Sequence, residues 1–368
     1  MASWETTKAW LLVLVLLVAK TYYGEGEPQA ERQVPCVFAF GDSLTDSGNN
    51  NNLRTSAKAN YQPYGIDFPN GSTGRFSNGL TVFDIIAQLL GFETFIGPFA
   101  NRNSSGSESD ILKGVNYASG GAGIRDDTGR AMGEVISLGS QIRNHGIIVS
   151  RIMSRLGDIG RAKEYLGKCL YYFSIGANDY INNYFVPQNY TTSRIYTPQQ
   201  YAVSLNQLLS LYLKNLHDVY GARKFVVFGI GSIGCLPRTI SMSNGSSCVE
   251  EQNRAAQLFN ERLRLSIDEL NQNYTDSRFI FVNTTAISSA DSRLTGFLVV
   301  NAPCCPTNSD GLCIPNGIPC QNRSQYIFFD EFHPTEPFNR IVAHDSYNDP
   351  DGSFTHPMDI NQLARSQL

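Results

Sequence analysis

Two short stretches carry side chains that could act together in acyl transfer. One is Phe40-Gly41-Asp42-Ser43-Leu44; the other, far down the chain, is Asp330-Glu331-Phe332-His333-Pro334. A serine hydroxyl is a weak nucleophile unless a base takes its proton, and the base needs a group to orient it. Asp330 and His333, three apart on one tight turn, supply both parts: the carboxylate can accept the Nδ1 proton, leaving Nε2 to face a serine. The other four histidines are weaker candidates for a base, since His145 and His217 fall in or near helical patterns and His344 and His356 lie in a polar tail. Attack on an ester also needs hydrogen-bond donors for the oxyanion, each worth about 3 kcal/mol when well placed. Asn116-Tyr117-Ala118-Ser119-Gly120-Gly121-Ala122-Gly123 offers backbone N–H groups on a glycine-rich turn that lacks the Lys-Ser/Thr of a P-loop. Ser174-Ile175-Gly176-Ala177-Asn178-Asp179-Tyr180 offers the Asn178 amide. Each stretch has an ordinary structural use as well: a helix N-cap for the serine, a turn for the asparagine, a plain flexible loop for the glycines.

These peptides need a scaffold, and the hydrophobic pattern describes one. Apolar runs at 36–40, 114–118, 170–175, 224–230 and 278–282 read as buried strands. Helical stripes fall between them. Residues 80–90 align Leu80, Phe83, Ile86, Ala87 and Leu90; residues 199–219 align Tyr201, Leu205, Leu208, Tyr212, Leu216 and Val219; residues 249–272 align Ala256, Phe259, Leu263, Ile267 and Leu270. Gly91 and Gly221 follow two of these helices, where a left-handed residue commonly ends one. Strand–helix alternation predicts a single α/β domain over 27–368, a parallel sheet with helices on both faces. Ligands of such sheets sit beyond the carboxyl ends of the strands, where the candidate peptides fall. Residues 49–78 read as a loop too polar for a core. Residues 301–325, with four cysteines and four prolines, read as a stapled irregular loop able to steady the Asp330–His333 turn.

Composition narrows the setting. A net charge of −4 leaves no basic footprint, which argues against a nucleic-acid partner. Lys8 precedes an apolar stretch, Ala9 to Ala19, too short to span a bilayer comfortably, and Gly24 and Gly26 follow; residues 1–26 are expected to be a signal peptide, with an uncleaved signal anchor as the rival reading. Sequons at Asn70, Asn103, Asn189, Asn244, Asn273, Asn283 and Asn322 predict glycosylation of surface loops. The eight cysteines suit an oxidising compartment. Cys235 with Cys248, and bridges within 304–320, are plausible because those loops are short, although eight cysteines allow 105 pairings. Without a Cys-x-x-Cys pair or clustered histidines, neither a metal nor another cofactor is expected, and no later segment predicts a stable membrane span.

Four strand-end loops, each bringing one part of an acyl-transfer site, carry a resemblance. Gly41-Asp42-Ser43-Leu44, Gly176-Ala177-Asn178-Asp179 and Asp330-Glu331-Phe332-His333 resemble successive blocks of the GDSL esterase/lipase family, part of the SGNH hydrolases. The longer runs from Phe40 to Asn50, from Asn116 to Ile124, from Gly229 to Pro237 and from Phe332 to Glu336 are similar to its large plant branch. The likeness extends from about Val37 to Leu363. It implies a flavodoxin-like α/β/α sandwich with a five-stranded parallel sheet, and a secreted esterase or lipase acting on lipid or acylated esters through an acyl-enzyme. It further implies Ser43 as nucleophile, His333 as base and Asp330 as its orienting carboxylate. The oxyanion hole would use the Ser43 N–H, the Gly121 N–H and the Asn178 side chain; Gly121 is preferred to Gly120 because the family glycine lies five residues after an asparagine, here Asn116. The same site would serve an acyltransferase. A binding glycoprotein on this scaffold is the alternative of a different class, and the intact triad positions weigh against it.

Overall fold

In strands β1 (Val37–Gly41), β3 (Leu170–Ser174), β4 (Lys224–Phe228) and β5 (Arg278–Val282), almost every residue is apolar and all but Arg278 are buried. Such runs can be satisfied only in a sheet covered on both faces. In the computed structural model, which describes residues 32–101, 108–243, 245, 247–289 and 295–368, they form one. With β2 (Gly114–Asn116) they give five parallel strands in the order β2-β1-β3-β4-β5. All five lie where the apolar runs predict strands. No run marks β8 (Thr355–His356), which pairs antiparallel with β5 at the sheet edge, or the small parallel pair β6 (Val299–Pro303) and β7 (Tyr326–Phe328). Two-residue and irregular strands carry too little pattern to stand out.

Alternate residues of each strand feed two cores. Phe38, Phe40, Tyr171, Phe173, Phe225, Val227, Phe279 and Phe281 point to one face. They meet α2 (Leu138–Leu156), α3 (Pro198–Tyr220) and α4 (Glu250–Asn273) there. Val37, Ala39, Leu170, Tyr172, Val226, Phe228, Ile280 and Val282 point to the other. That face is covered by α1 (Val82–Leu89), α5 (Glu336–Tyr347) and α6 (Ile360–Arg365). The result is a three-layer α/β/α sandwich, and residues Gln33–Leu368 form one compact unit. Helix starts follow local chemistry: Thr81 with Asp84 and Thr197 with Gln200 make reciprocal capping boxes, and Pro198 takes the first turn of α3. Gly221, at φ 81°, ends α3 as expected.

Three sequence expectations need correction. The stripe on α3 is rotated: Leu209 and Leu213 are buried, whereas Val219 is 51% exposed. His344 and His356 lie not in a polar tail but in α5 and β8. Residues 49–78 are no solvent loop either. Ala57, Ala59, Tyr64 and Phe76 join Phe329 and three of the cysteines of the 304–320 segment in a third apolar cluster. The polar side chains Asn49, Asn50, Arg75 and Asn78 are buried because each has hydrogen-bond partners, which is what burial of a polar group requires.

The described cysteines pair as Cys36–Cys169, Cys235–Cys248, Cys304–Cys320 and Cys305–Cys313. Cys235–Cys248 and the presence of bridges within 304–320 match the expectation from short loops, whereas spacing does not choose between the pairings inside 304–320; Cys36–Cys169, separated by 133 residues, depends on β1 and β3 being neighbours. Among the described residues no helix is long and apolar enough to cross a membrane. Asn70, Asn189 and Asn322 lie exposed in loops, Asn273 is the last residue of α4, and Asn283 is half-buried after β5. Residues 1–26, Asn103 and Asn244 lie outside the described residues.

Candidate active site

Gly41 ends β1 where the chain must bend sharply. A Cβ at this position would stand 2.6 Å from the Ser174 carbonyl oxygen, so only glycine fits. The bend is braced by Gln141 of α2. Its Oε1 accepts the Gly41 N–H at 2.9 Å and its Nε2 donates to the Gly41 carbonyl at 2.8 Å. Ser43 follows, partly exposed, beyond the carboxyl end of the strand.

His333 arrives from the opposite end of the chain. Asp330 Oδ1 accepts the backbone N–H groups of Phe332 (2.8 Å) and His333 (2.7 Å), which closes the turn and fixes the carboxylate. The imidazole Nδ1 lies 2.7 Å from Asp330 Oδ2, and Nε2 lies 2.7 Å from Ser43 Oγ. With the Nδ1 proton on the carboxylate side, Nε2 is left to accept from the serine hydroxyl. Asp330 is fully buried and His333 is 5% exposed, so the pair is shielded from water on all but the serine side. Phe76 lies against the imidazole, ring centroids 4.8 Å apart.

The expected donors belong to two other strand-end loops. Gly121 lies in the glycine-rich loop with left-handed backbone, at φ 80°. Gly120 cannot serve in its place, because its N–H already donates to Asp46 Oδ2 at 3.0 Å. Among the described residues neither the Ser43 nor the Gly121 N–H has an intramolecular acceptor. Asn178 sits on the one-turn helix Ala177–Asp179. Its Nδ2 donates to the Ala122 carbonyl at 3.0 Å, and its Oδ1 accepts from Asn182 at 2.6 Å, which orients the amide and leaves its second N–H available.

A polar mesh that the sequence reading did not identify holds these loops together. Asn49 Nδ2 donates to the carbonyls of Asn116 and Ala118, Asn50 Nδ2 to that of Gly120, and Asn116 Nδ2 to that of Thr45. Asp46 accepts the N–H groups of Gly48, Asn49 and Gly120. On the far side of the glycine loop Asp179 accepts those of Ile124 and Arg125 and the Thr128 hydroxyl. Burial pushes both carboxyls up, to about 6, against these hydrogen bonds. Burial also raises Asp42, next to the serine, to about 7, opposed by the Leu44 N–H and by His333. The only hint in the sequence was the density of Asn and Asp around Ser43 and Gly121.

The serine–imidazole–carboxylate line, beyond the carboxyl ends of the strands, has the geometry that acyl transfer requires. Comparison with known proteins agrees: the GDSL-like Lipase/Acylhydrolase family matches residues 37–346, so the chain belongs to that family and is a carboxylic ester hydrolase. Among its relatives is the GDSL esterase/lipase At1g29670 of Arabidopsis thaliana, 47% identical over 365 residues, covering 97% of this chain and 98% of that protein. The GDSL esterase/lipase At5g45670 of the same plant is 44% identical over 366 residues, covering 96% and 98%.

Proposed function

We propose that the protein is a secreted serine esterase working through an acyl-enzyme, with Ser43 as nucleophile, His333 as base and Asp330 holding the imidazole. Ser43 Oγ attacks the ester carbonyl as its proton passes to His333 Nε2. The imidazolium formed is stabilised by Asp330 and then protonates the leaving alcohol. Neutral again, His333 takes a proton from water, which attacks the acyl-enzyme; as the acid leaves, the imidazolium returns that proton to Ser43 Oγ. The Ser43 and Gly121 N–H groups and the free N–H of Asn178 receive the oxyanion in both halves of the reaction. The observation that carries this reading is the unbroken line from Ser43 Oγ to His333 Nε2 (2.7 Å) and from Nδ1 to Asp330 Oδ2 (2.7 Å).

Residues 1–26 serve as the secretory leader and are removed. The pairing of all eight cysteines and the exposed sequons at Asn70, Asn189 and Asn322 support an extracellular setting. The substrates are esters of lipids or of acylated small molecules and polysaccharides.

The test uses the full chain expressed in plant cells and protein recovered from the medium. The wild type should hydrolyse p-nitrophenyl esters and be labelled by a fluorophosphonate probe, and Ser43→Ala should do neither. Turnover retained by Ser43→Ala removes Ser43 from the mechanism; wild-type protein held in the cell removes secretion.

A further inference from the structure

We infer that Tyr64 is a positioning residue of this enzyme, its phenol holding the Asp330 carboxylate in line with His333. The inference rests on the reading of Asp330 and His333 just given.

Tyr64 lies in the 49–78 segment, 266 residues from Asp330, and is fully buried. Its hydroxyl lies 2.5 Å from Asp330 Oδ2 and 3.1 Å from the backbone nitrogen of Cys313. These two contacts fix the direction of the proton. The Cys313 N–H can only donate, so the phenol oxygen accepts there and must send its own hydrogen to the carboxylate. Burial and the neighbouring Asp330 hold the phenol well above its usual range, so it remains a donor wherever the enzyme works.

The ring has little freedom, being packed edge-on against Tyr61, Phe76 and Phe329. Cys313 is itself fixed by its bridge to Cys305. A continuous line therefore runs from the stapled loop through Cys313 N–H, Tyr64 hydroxyl, Asp330 and His333 to Ser43. Oδ1 of Asp330 is held by its own turn; Tyr64 is the support from another segment on Oδ2, the oxygen nearest Nδ1.

Other groups face this pair. Asp42 lies near His333 on the loop after β1, Tyr61 and Asp310 act on the tyrosine side, and Glu331 pairs with Arg238. None of these donates to the Asp330 carboxylate, so removing the Tyr64 hydroxyl changes Asp330 in a way they cannot offset. With one donor fewer, the carboxylate presents more charge to the imidazolium and stabilises it. The acid limb of the kcat/KM profile then moves to higher pH.

The experiment compares the wild type with Tyr64→Phe, Tyr61→Phe and Ser43→Ala on one p-nitrophenyl ester across pH. Tyr64→Phe should lower kcat about tenfold at unchanged KM, as expected for a misplaced catalytic group. Its acid limb should rise by roughly half a unit or more. Tyr61 donates to the Cys313 carbonyl on the same loop at 3.0 Å and makes no bond to Asp330, so Tyr61→Phe should leave the limb in place. A Tyr64→Phe profile that superimposes on the wild type, or an equal shift in Tyr61→Phe, overturns the inference. If Tyr64→Phe does not fold, 3-fluorotyrosine at position 64, a stronger donor of nearly the same shape, should move the limb to lower pH, and an unmoved limb overturns it. Ser43→Ala separates the two levels: its inactivity beside an unshifted Tyr64→Phe profile leaves the triad standing and removes only Tyr64.

Discussion

At the scale of single residues, several polar side chains near Ser43 are each held in one orientation by their hydrogen bonds. Asn178 is tied at Nδ2 to Ala122 and at Oδ1 to Asn182, so its amide is held in one orientation with its second N–H available. In the proposed mechanism a fixed donor of this kind acts on the transition state rather than on substrate binding. Asn178→Ala should therefore lower kcat by about 10²–10³, close to 3 kcal/mol, with KM little changed. Steady-state kinetics on a p-nitrophenyl ester check this, and a rise in KM at constant kcat would assign Asn178 to ground-state binding. Ser43, Asp330 and His333, which the structure brings together, stood out as candidates at this scale because their types permit few other chemistries in that combination. Gln141 and Tyr64 did not, since a glutamine in a helix and a tyrosine in a Pro/Gly-rich segment have many ordinary uses.

At the scale of elements, the site is a meeting of strand-end loops, and buried carboxylates join them. Asp46, on the loop after β1, binds the Gly120 N–H of the loop after β2, which leaves the Gly121 N–H without an intramolecular acceptor among the described residues. In Asp46→Asn one oxygen becomes an NH₂ group. With Oδ1 bound by Gly48 and Asn49, that group would confront the Gly120 N–H, and kcat/KM should fall about tenfold as the loop shifts. The same variant has a pH signature. Burial raises the carboxyl from the ordinary 3.8 to about 6, so the native state binds the proton more tightly than the unfolded chain does. That contribution to stability is fully present below about pH 4 and is lost as pH rises through 6. The wild-type stability minus that of Asp46→Asn should therefore fall by on the order of 3 kcal/mol between pH 4 and 7, measured by urea unfolding. A difference independent of pH would show that burial does not govern this group. Helices α1, α3 and α4 were readable from their stripes. Helix α2 was not: Gly139, Gly146 and the β-branched run Ile147-Ile148-Val149 lower its intrinsic propensity, and it is held by packing of Leu138, Ile142, His145, Val149 and Ile152 on the sheet.

At the scale of the whole molecule, the two ends of the sheet have different duties. The candidate site lies at the carboxyl ends of the strands, while the Cys36–Cys169 bridge precedes β1 and β3 at their amino ends. A bridge closing 133 residues restricts the unfolded chain strongly, by about 5 kcal/mol in the chain-entropy view, although measured effects are commonly about 2–4 kcal/mol. Replacing both cysteines by alanine should lower the Tm by several degrees and leave fluorophosphonate labelling at 25 °C unchanged, since the bridge touches no part of the site. Lost labelling in a folded double variant would mean that the two ends are coupled. By itself the sequence determined the layered α/β class, the five parallel strands and the residue types able to do acyl chemistry, because hydrophobic period and side-chain chemistry are local properties of the chain. Tertiary structure alone decided that His333 meets Ser43, that Gly121 rather than Gly120 has its N–H unoccupied, and that Tyr64 reaches Asp330. Each of those is a contact between segments tens to hundreds of residues apart, set by how strands order in the sheet and how loops pack over its end.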